Sequence, residues 1–175
     1  MIQQSQKPGG YNADMTEPRR ILFVCMGNII RSPLAENLFR QLAEEAGLDG
    51  SYEVDSAGTG AAHAGDAPDA RMRRTAARRG LRYDGEARQV RLSDFDRFDL
   101  IVAMDTDNRR ELKARARTPE QAKKIRLLRD FDPNAGRNAS VPDPYYDGDE
   151  DFEETYRVVE AGVRGLIEAL KTGGA

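Results

Sequence analysis

Arg20-Ile21-Leu22-Phe23-Val24-Cys25-Met26-Gly27-Asn28-Ile29-Ile30-Arg31-Ser32-Pro33 begins with the longest apolar run of the chain, Ile21 to Met26, and ends in a helix-start signal. A short apolar run bounded by a glycine reads as a buried strand, Arg20–Cys25. Pro33 suits a first helical position, because a first-turn N–H has no helical partner to lose, and Ser32 before it suits a cap. Leu34, Leu38, Phe39 and Leu42 then recur at helical spacing and Gly47 marks the stop. Working outward, similar runs predict strands at Tyr52–Ser56, Leu100–Met104 and Ile125–Leu128. Helices are expected from about Asp69 to Arg79, ending at Gly80, and from Asp105 or Thr106 to about Arg115. The last helix is the longest and carries the stripe Phe152, Tyr156, Val159, Val163, Leu166, Ile167 and Leu170. Gly162 and Gly165 weaken it unless a neighbour packs closely. Short buried strands alternating with helices predict an α/β fold, a parallel sheet covered on both faces.

The chain has 175 residues, one domain on the rough scale of ~100–200 residues each. With 39% hydrophobic residues and 16 glycines it has the apolar content of a globular protein, which excludes pervasive disorder. No run approaches the ~20 apolar residues that cross a bilayer, and no signal-peptide stretch is evident, so the expected address is the cytoplasm, with no membrane partner. One cysteine, Cys25, and one histidine, His63, exclude an intramolecular disulfide and a zinc site built mainly from Cys and His. A Ser-His-Asp triad would have to use His63, which reads better as a loop residue than as a catalyst. A net charge of −3 gives no field to gather nucleic acid, and none is expected as a partner. Arg71 to Arg91 holds eight arginines and Asp143 to Glu160 eight acids; each block reads as a solvated helical face in preference to a binding patch.

The chemistry gathers on the first strand's carboxyl end, where ligands bind in open parallel sheets. Successive loop N–H groups meeting a helix N-terminus form an anion cradle, since those amides lack internal partners and the helix dipole adds positive charge. Arg31, six positions after Cys25, can grip two oxygens of a tetrahedral anion with its planar fork, and Gly27 permits a conformation or close approach that a Cβ would obstruct. The same field favours thiolate over thiol at Cys25, so the nucleophile needs no histidine, and Ser32 can donate to the sulfur. A buried inert cysteine at a strand end is the alternative, but it leaves Gly27, Arg31, Ser32 and Pro33 without a reason.

This segment resembles the phosphate-binding loop of the low-molecular-weight protein tyrosine phosphatases, which carry Cys-x5-Arg-Ser on a strand-loop-helix near the N-terminus. Asp143-Pro144-Tyr145-Tyr146 resembles that family's general-acid loop, followed by Asp151-Phe152-Glu153 at the opening of the last helix. Val54-Asp55-Ser56-Ala57-Gly58-Thr59-Gly60, Ala87-Arg88-Gln89 and Phe98-Asp99-Leu100-Ile101-Val102-Ala103-Met104-Asp105 also resemble family segments, in the family's order. The similarity spans Arg20 to the last helix, which implies a phosphatase domain over residues 20–175 behind a flexible tail over 1–19.

The resemblance implies a flavodoxin-like doubly wound sheet of four parallel strands in the order 2-1-3-4, with the loop at the topological switch. It implies Cys25, Arg31 and Asp143 as catalytic residues, and Met26, Gly27, Asn28, Ile29, Ile30 and Ser32 as the phosphate loop. A carboxylic acid at Asp143 would protonate the departing phenolate and later deprotonate water, whereas an Asp-Pro turn is the plainer reading without the loop. Tyr145 and Tyr146 read as walls for a flat ring or as packing for their own loop. Ala62 stands where the family often presents a further aromatic wall, which leaves that side more open. Asn28 and Ser56 would brace the loop, and Asp105 would position Arg31, cap the next helix, or do both. No metal or organic cofactor is implied. The expected partner of this expected monomer is a tyrosine-phosphorylated protein or peptide, with phosphate, sulfate and vanadate competing as oxyanions. Ile30 occupies the position of a second cysteine found in many relatives, and a shortage of thiols disfavours an arsenate reductase. Ile29 stands where arginine phosphatases of the family tend to carry threonine. Arginine phosphatase and a catalytically weak phosphate- or phosphopeptide-binding module remain the alternatives.

Overall fold

The computed structural model describes residues 17–175. Its elements are β1 (Arg19–Cys25), α1 (Arg31–Glu45), β2 (Tyr52–Gly58), α2 (Ala70–Arg78), α3 (Asp94–Arg97), β3 (Leu100–Ala103), α4 (Thr106–Arg115), α5 (Pro119–Lys123), β4 (Ile125–Leu127) and α6 (Asp149–Lys171). A 3-10 turn, Leu128–Phe131, follows β4 directly, so the fourth strand stops one residue before the expected Leu128. The strand order is β2-β1-β3-β4, all parallel, as the doubly wound pattern requires. Most of the expected tail lies outside the described residues. Its last residue, Arg19, belongs instead to β1, paired with Tyr52.

Residues of β1 alternate between two cores, the consequence of a strand's twofold side-chain period. Ile21, Phe23 and Cys25 join the side chains of α1 and α6, while Leu22 and Val24 join Phe95, Phe98, Ile101 and Leu112 on the opposite face. The glycines of α6 are explained by close packing. A Cβ on Gly162 would lie 2.6 Å from Leu128 Cγ, and one on Gly165 would overlap the backbone carbonyl of Phe131.

Two local expectations are corrected, and two short helices are added. Helix α1 begins at Arg31, so Ser32 sits inside the first turn and caps nothing; its hydroxyl is used by the thiol of Cys25 instead. Helices α3 and α5, of four and five residues, are too short to show a helical period, although Thr118 does cap α5 before Pro119. The basic and acidic blocks are also not merely solvated faces. Arg78, the last residue of α2, and Arg79, its C-cap, both reach Glu153 of α6, at 2.9 and 2.8 Å, joining the two blocks across the helix pair.

Candidate active site

Cys25 ends β1 at the sheet's carboxyl edge, 3% exposed, opposite Gly58 of β2. The backbone then curls back over it: Asn28 N–H donates to Cys25 Sγ at 3.3 Å. The turn needs a left-handed residue, and Asn28 (φ 55°) supplies it, a conformation that Asn tolerates better than most side chains. Gly27 serves by close approach, since a Cβ there would meet His63 Cδ2 at 3.2 Å. The second glycine that matters is Gly58, where a Cβ would fall 2.6 Å from the carbonyl oxygen of Met26.

Polar side chains then fix the direction of each proton. Arg88 N–H donates to Asn28 Oδ1 at 2.9 Å, which orients the amide so that its Nδ2 donates to both Ser32 Oγ and Ser56 Oγ, each at 2.9 Å. With a lone pair of Ser32 so engaged, its hydroxyl hydrogen is free to point at Cys25 Sγ, 3.0 Å away. The Ser56 hydroxyl donates its own hydrogen bond to Glu36 Oε2 at 2.9 Å. Glu36 is buried, and desolvation pushes its carboxyl above the ordinary value against the opposing pull of Arg40 and Ser56. Tyr83 supports the loop from behind, its hydroxyl donating to the carbonyl of Ile30 at 3.2 Å, and burial raises its phenol well above the ordinary range.

Arg31, only 2% exposed, reaches the site from the first turn of α1. Its Nη1 donates to Asp105 Oδ2 at 2.6 Å and to the Val141 carbonyl at 3.1 Å, and its Nη2 lies 3.4 Å from Asp143 Oδ2. Desolvation opposes its charge, but Cys25, Asp105 and Asp143 outweigh that cost and hold its pKa above the ordinary arginine value. The other oxygen of Asp105 accepts the Asn108 N–H at 2.7 Å, so this residue caps α4 as well as holding Arg31.

Asp143 sits across the cavity from the loop, its side chain 40% exposed, with Oδ1 accepting the Tyr145 N–H at 3.2 Å. The cavity, about 160 Å³, is lined by Cys25, Met26, Gly27, Ile29, Ile30, Arg31, Asp143, Tyr145, Tyr146 and His63. Tyr145 and Tyr146 meet edge to face at 4.8 Å, and Tyr146 is almost wholly exposed at the mouth. Ala62 is an exposed loop residue outside this lining. The fourth side is formed by His63, whose ring lies 6.1 Å from that of Tyr145 and whose Nδ1 is 3.2 Å from Asp66 Oδ2. Expecting an open wall at Ala62 was therefore wrong by one residue, because the loop turns the next side chain inward.

Sequence reasoning missed Glu36, Tyr83 and Gly58 as parts of the site. Only Glu36 left a visible signal, an acidic residue on the buried face of α1 between Leu34 and Leu38.

A parallel α/β sheet with a buried cysteine at the head of an anion loop, an arginine closing the loop and an acid across the cavity defines a cysteine-dependent hydrolase of oxyanion esters. The family model for the low molecular weight phosphotyrosine protein phosphatases matches residues 20–174, and the chain belongs to this family. It is 48% identical over 153 residues to a low molecular weight protein-tyrosine-phosphatase of Streptomyces coelicolor, covering 87% of this chain and 93% of the relative. The crystal structure of a protein tyrosine phosphatase from Entamoeba histolytica with Hepes in the active site superposes with a TM-score of 0.85 at 39% identity, covering 90% of this chain and 99% of that one. That of Vibrio vulnificus Wzb in complex with benzylphosphonate superposes with a TM-score of 0.73 at 27% identity, covering 86% and 97%.

Proposed function

We propose that this chain hydrolyses phosphotyrosine on proteins or peptides in two steps through a phosphocysteine. The Cys25 thiolate attacks phosphorus, the S–P bond forms as the aryl O–P bond breaks, and Asp143 protonates the departing oxygen. The loop N–H groups and Arg31 bind the equatorial oxygens, whose charge is spread in the transition state. Asp143, now ionised, takes a proton from water as water attacks phosphorus, and inorganic phosphate and the thiolate are released.

The observation that carries this reading is the placement of Cys25, Arg31 and Asp143 on one cavity walled by Tyr145 and Tyr146. A cavity with two tyrosine walls above a buried sulfur suits an aryl ester, whose ring carries phosphorus further from the peptide backbone than a serine side chain does. Hepes and benzylphosphonate, bound by two of the structural relatives, are themselves oxyanions, which supports phosphate, sulfate and vanadate as competing ligands. A lone thiol nucleophile with no partner cysteine suits a reducing compartment, and we place the enzyme in the cytoplasm.

Turnover of p-nitrophenyl phosphate by Cys25→Ser, Arg31→Ala and Asp143→Asn tests the chemistry, alongside a panel of phosphotyrosine, phosphoserine and phosphoarginine peptides for the wild type. The first two substitutions should reduce turnover to near background, and Asp143→Asn should slow poor leaving groups most. Full activity in Cys25→Ser overturns the mechanism, and preference for phosphoarginine overturns the substrate.

A further inference from the structure

Helix α2 bridges the two loops that form the site. Asp69, its N-cap, donates its backbone N–H to the Ile29 carbonyl at 2.8 Å, which stitches the start of α2 to the anion loop. The Asp69 carboxylate takes a two-pronged bond from Arg71, Nε to Oδ1 at 3.1 Å and Nη2 to Oδ2 at 2.9 Å. Desolvation resists charge on Asp69, yet the hydrogen bonds and charge of Arg71 hold its carboxyl below the ordinary value.

The remaining nitrogen of Arg71 points the other way. Nη1 donates to the Tyr145 carbonyl at 2.9 Å, and the guanidinium lies over the rings of Tyr145 and Phe152, 5.5 and 4.6 Å from their centroids. Tyr145 in turn donates its N–H to Asp143 Oδ1. A continuous polar chain therefore runs from Ile29 through Asp69, Arg71 and Tyr145 to Asp143.

The need for such a tie is evident in the acid loop itself, which has no regular secondary structure between Val141 and Gly148. It is held at its start by Val141 N–H on the Met104 carbonyl and by Thr155 Oγ on the Pro142 carbonyl, both before Asp143. Beyond Asp143, Arg71 holds the Tyr145 carbonyl, and the next side-chain bond comes only at the loop's end, from the Gly148 N–H to the Asp151 carboxylate of α6. The Tyr145 N–H on Oδ1 and Arg31 Nη2 near Oδ2 together fix the orientation of the Asp143 carboxyl.

We infer that Arg71, clamped by Asp69, is a positioning residue that holds the Asp143 loop in register with the anion loop, and so sets how efficiently Asp143 delivers its proton to the leaving group. This assignment depends on Asp143 being the general acid. Arg71 is partly exposed and fills no core position, so its loss should act through geometry more than through folding.

The test compares kcat/KM for phenyl phosphate, a poor leaving group, with p-nitrophenyl phosphate, a good one, in Arg71→Ala, Arg71→Lys and Asp143→Asn. Arg71→Ala should lower the phenyl phosphate value about 10-fold, part of the ~10²–10⁴ that a placed acid contributes, and the nitrophenyl value by about 2-fold or less. Arg71→Lys keeps the charge but cannot span Asp69 and Tyr145 with a fork, so it should recover little. In an Asp143→Asn background Arg71→Ala should add nothing, since residues acting through one proton transfer are not additive. Asp69→Asn reaches the same clamp by another route, and should show the same bias if Arg71→Ala fails to fold by thermal melt. Equal losses on the two substrates, or a full second loss beside Asp143→Asn, overturn the role of Arg71 while leaving Asp143 intact. No leaving-group bias in Asp143→Asn itself overturns the acid assignment, and the role of Arg71 with it.

Discussion

Asp105 divides its two oxygens between two tasks: Oδ2 holds Arg31 Nη1 at 2.6 Å and Oδ1 caps α4 through the Asn108 N–H at 2.7 Å. The pair couples the end of β3 to the first turn of α1, so Arg31 takes its position from a strand two places away in sequence order. Asparagine is as good an N-cap as aspartate but carries no charge for Arg31. Asp105→Asn should therefore weaken inhibition by phosphate and lower kcat/KM by about 10-fold, equivalent to ~1.4 kcal/mol, and should also lower stability, because it removes a carboxylate that offsets the desolvation of buried Arg31. Asp105→Ala should cost a further ~1 kcal/mol in a denaturant melt through the lost cap.

Glu36 gives the fold a pH dependence of definite sign. Its folded-state pKa is raised above the ordinary 4.5, chiefly by desolvation. The native state thus binds the proton more tightly than the unfolded chain, and the stability this contributes is present below 4.5 and lost as pH rises through the folded value. Glu36→Gln removes that titration. Its stability relative to wild type should improve on going from acid to neutral pH, superimposed on a constant offset from altered bonds to Ser56 and Arg40. Urea melts at a series of pH values read the slope, and a flat difference refutes the assignment.

Gly165→Ala places a methyl group against the Phe131 carbonyl, a backbone atom that cannot rotate away. Overpacking of this kind costs about 1–3 kcal/mol, and the upper end is expected because backbone must shift. Thermal unfolding checks it. Gly136→Ala, with nothing within 4 Å of its added Cβ, is the control and should shift the melt little.

Ile30 sits beside Arg31 in the loop, and Cys25 is the only cysteine of the chain. Peroxide should convert Cys25 to the sulfenic acid and then to higher acids or mixed disulfides, with no internal disulfide to protect it. Intact mass after peroxide treatment and thiol recovery should show irreversible addition of oxygen rising with dose. Complete recovery of activity at every dose contradicts this. Ile30→Cys should restore reversible protection if its thiol reaches Cys25.

The first strand, its loop and its arginine were legible because their chemistry is local. An apolar run, a glycine and a helix start are contiguous, and the spacing from Cys25 to Arg31 is fixed by the peptide chain. The long helix α6 was legible for the same reason, through its apolar stripe, and Gly162 and Gly165 signalled a close neighbour without naming it. Helices α3 and α5 were not, since four or five residues hold too little of a helical period to register.

Sequence by itself determined the parallel α/β architecture, the single possible thiol nucleophile and the short list of partners for it, because strand and helix periods and residue chemistry are properties of neighbouring residues. Tertiary structure alone decided that His63 and not Ala62 faces the cavity, that the Ser56 hydroxyl donates to Glu36, and that Asp69 and Arg71 tie the anion loop to Asp143. The bonds from Ser56 to Glu36 and from Arg71 to Tyr145 join residues 20 and 74 positions apart, and a hydrogen bond of about 3 Å between such residues exists only once packing has fixed both backbones.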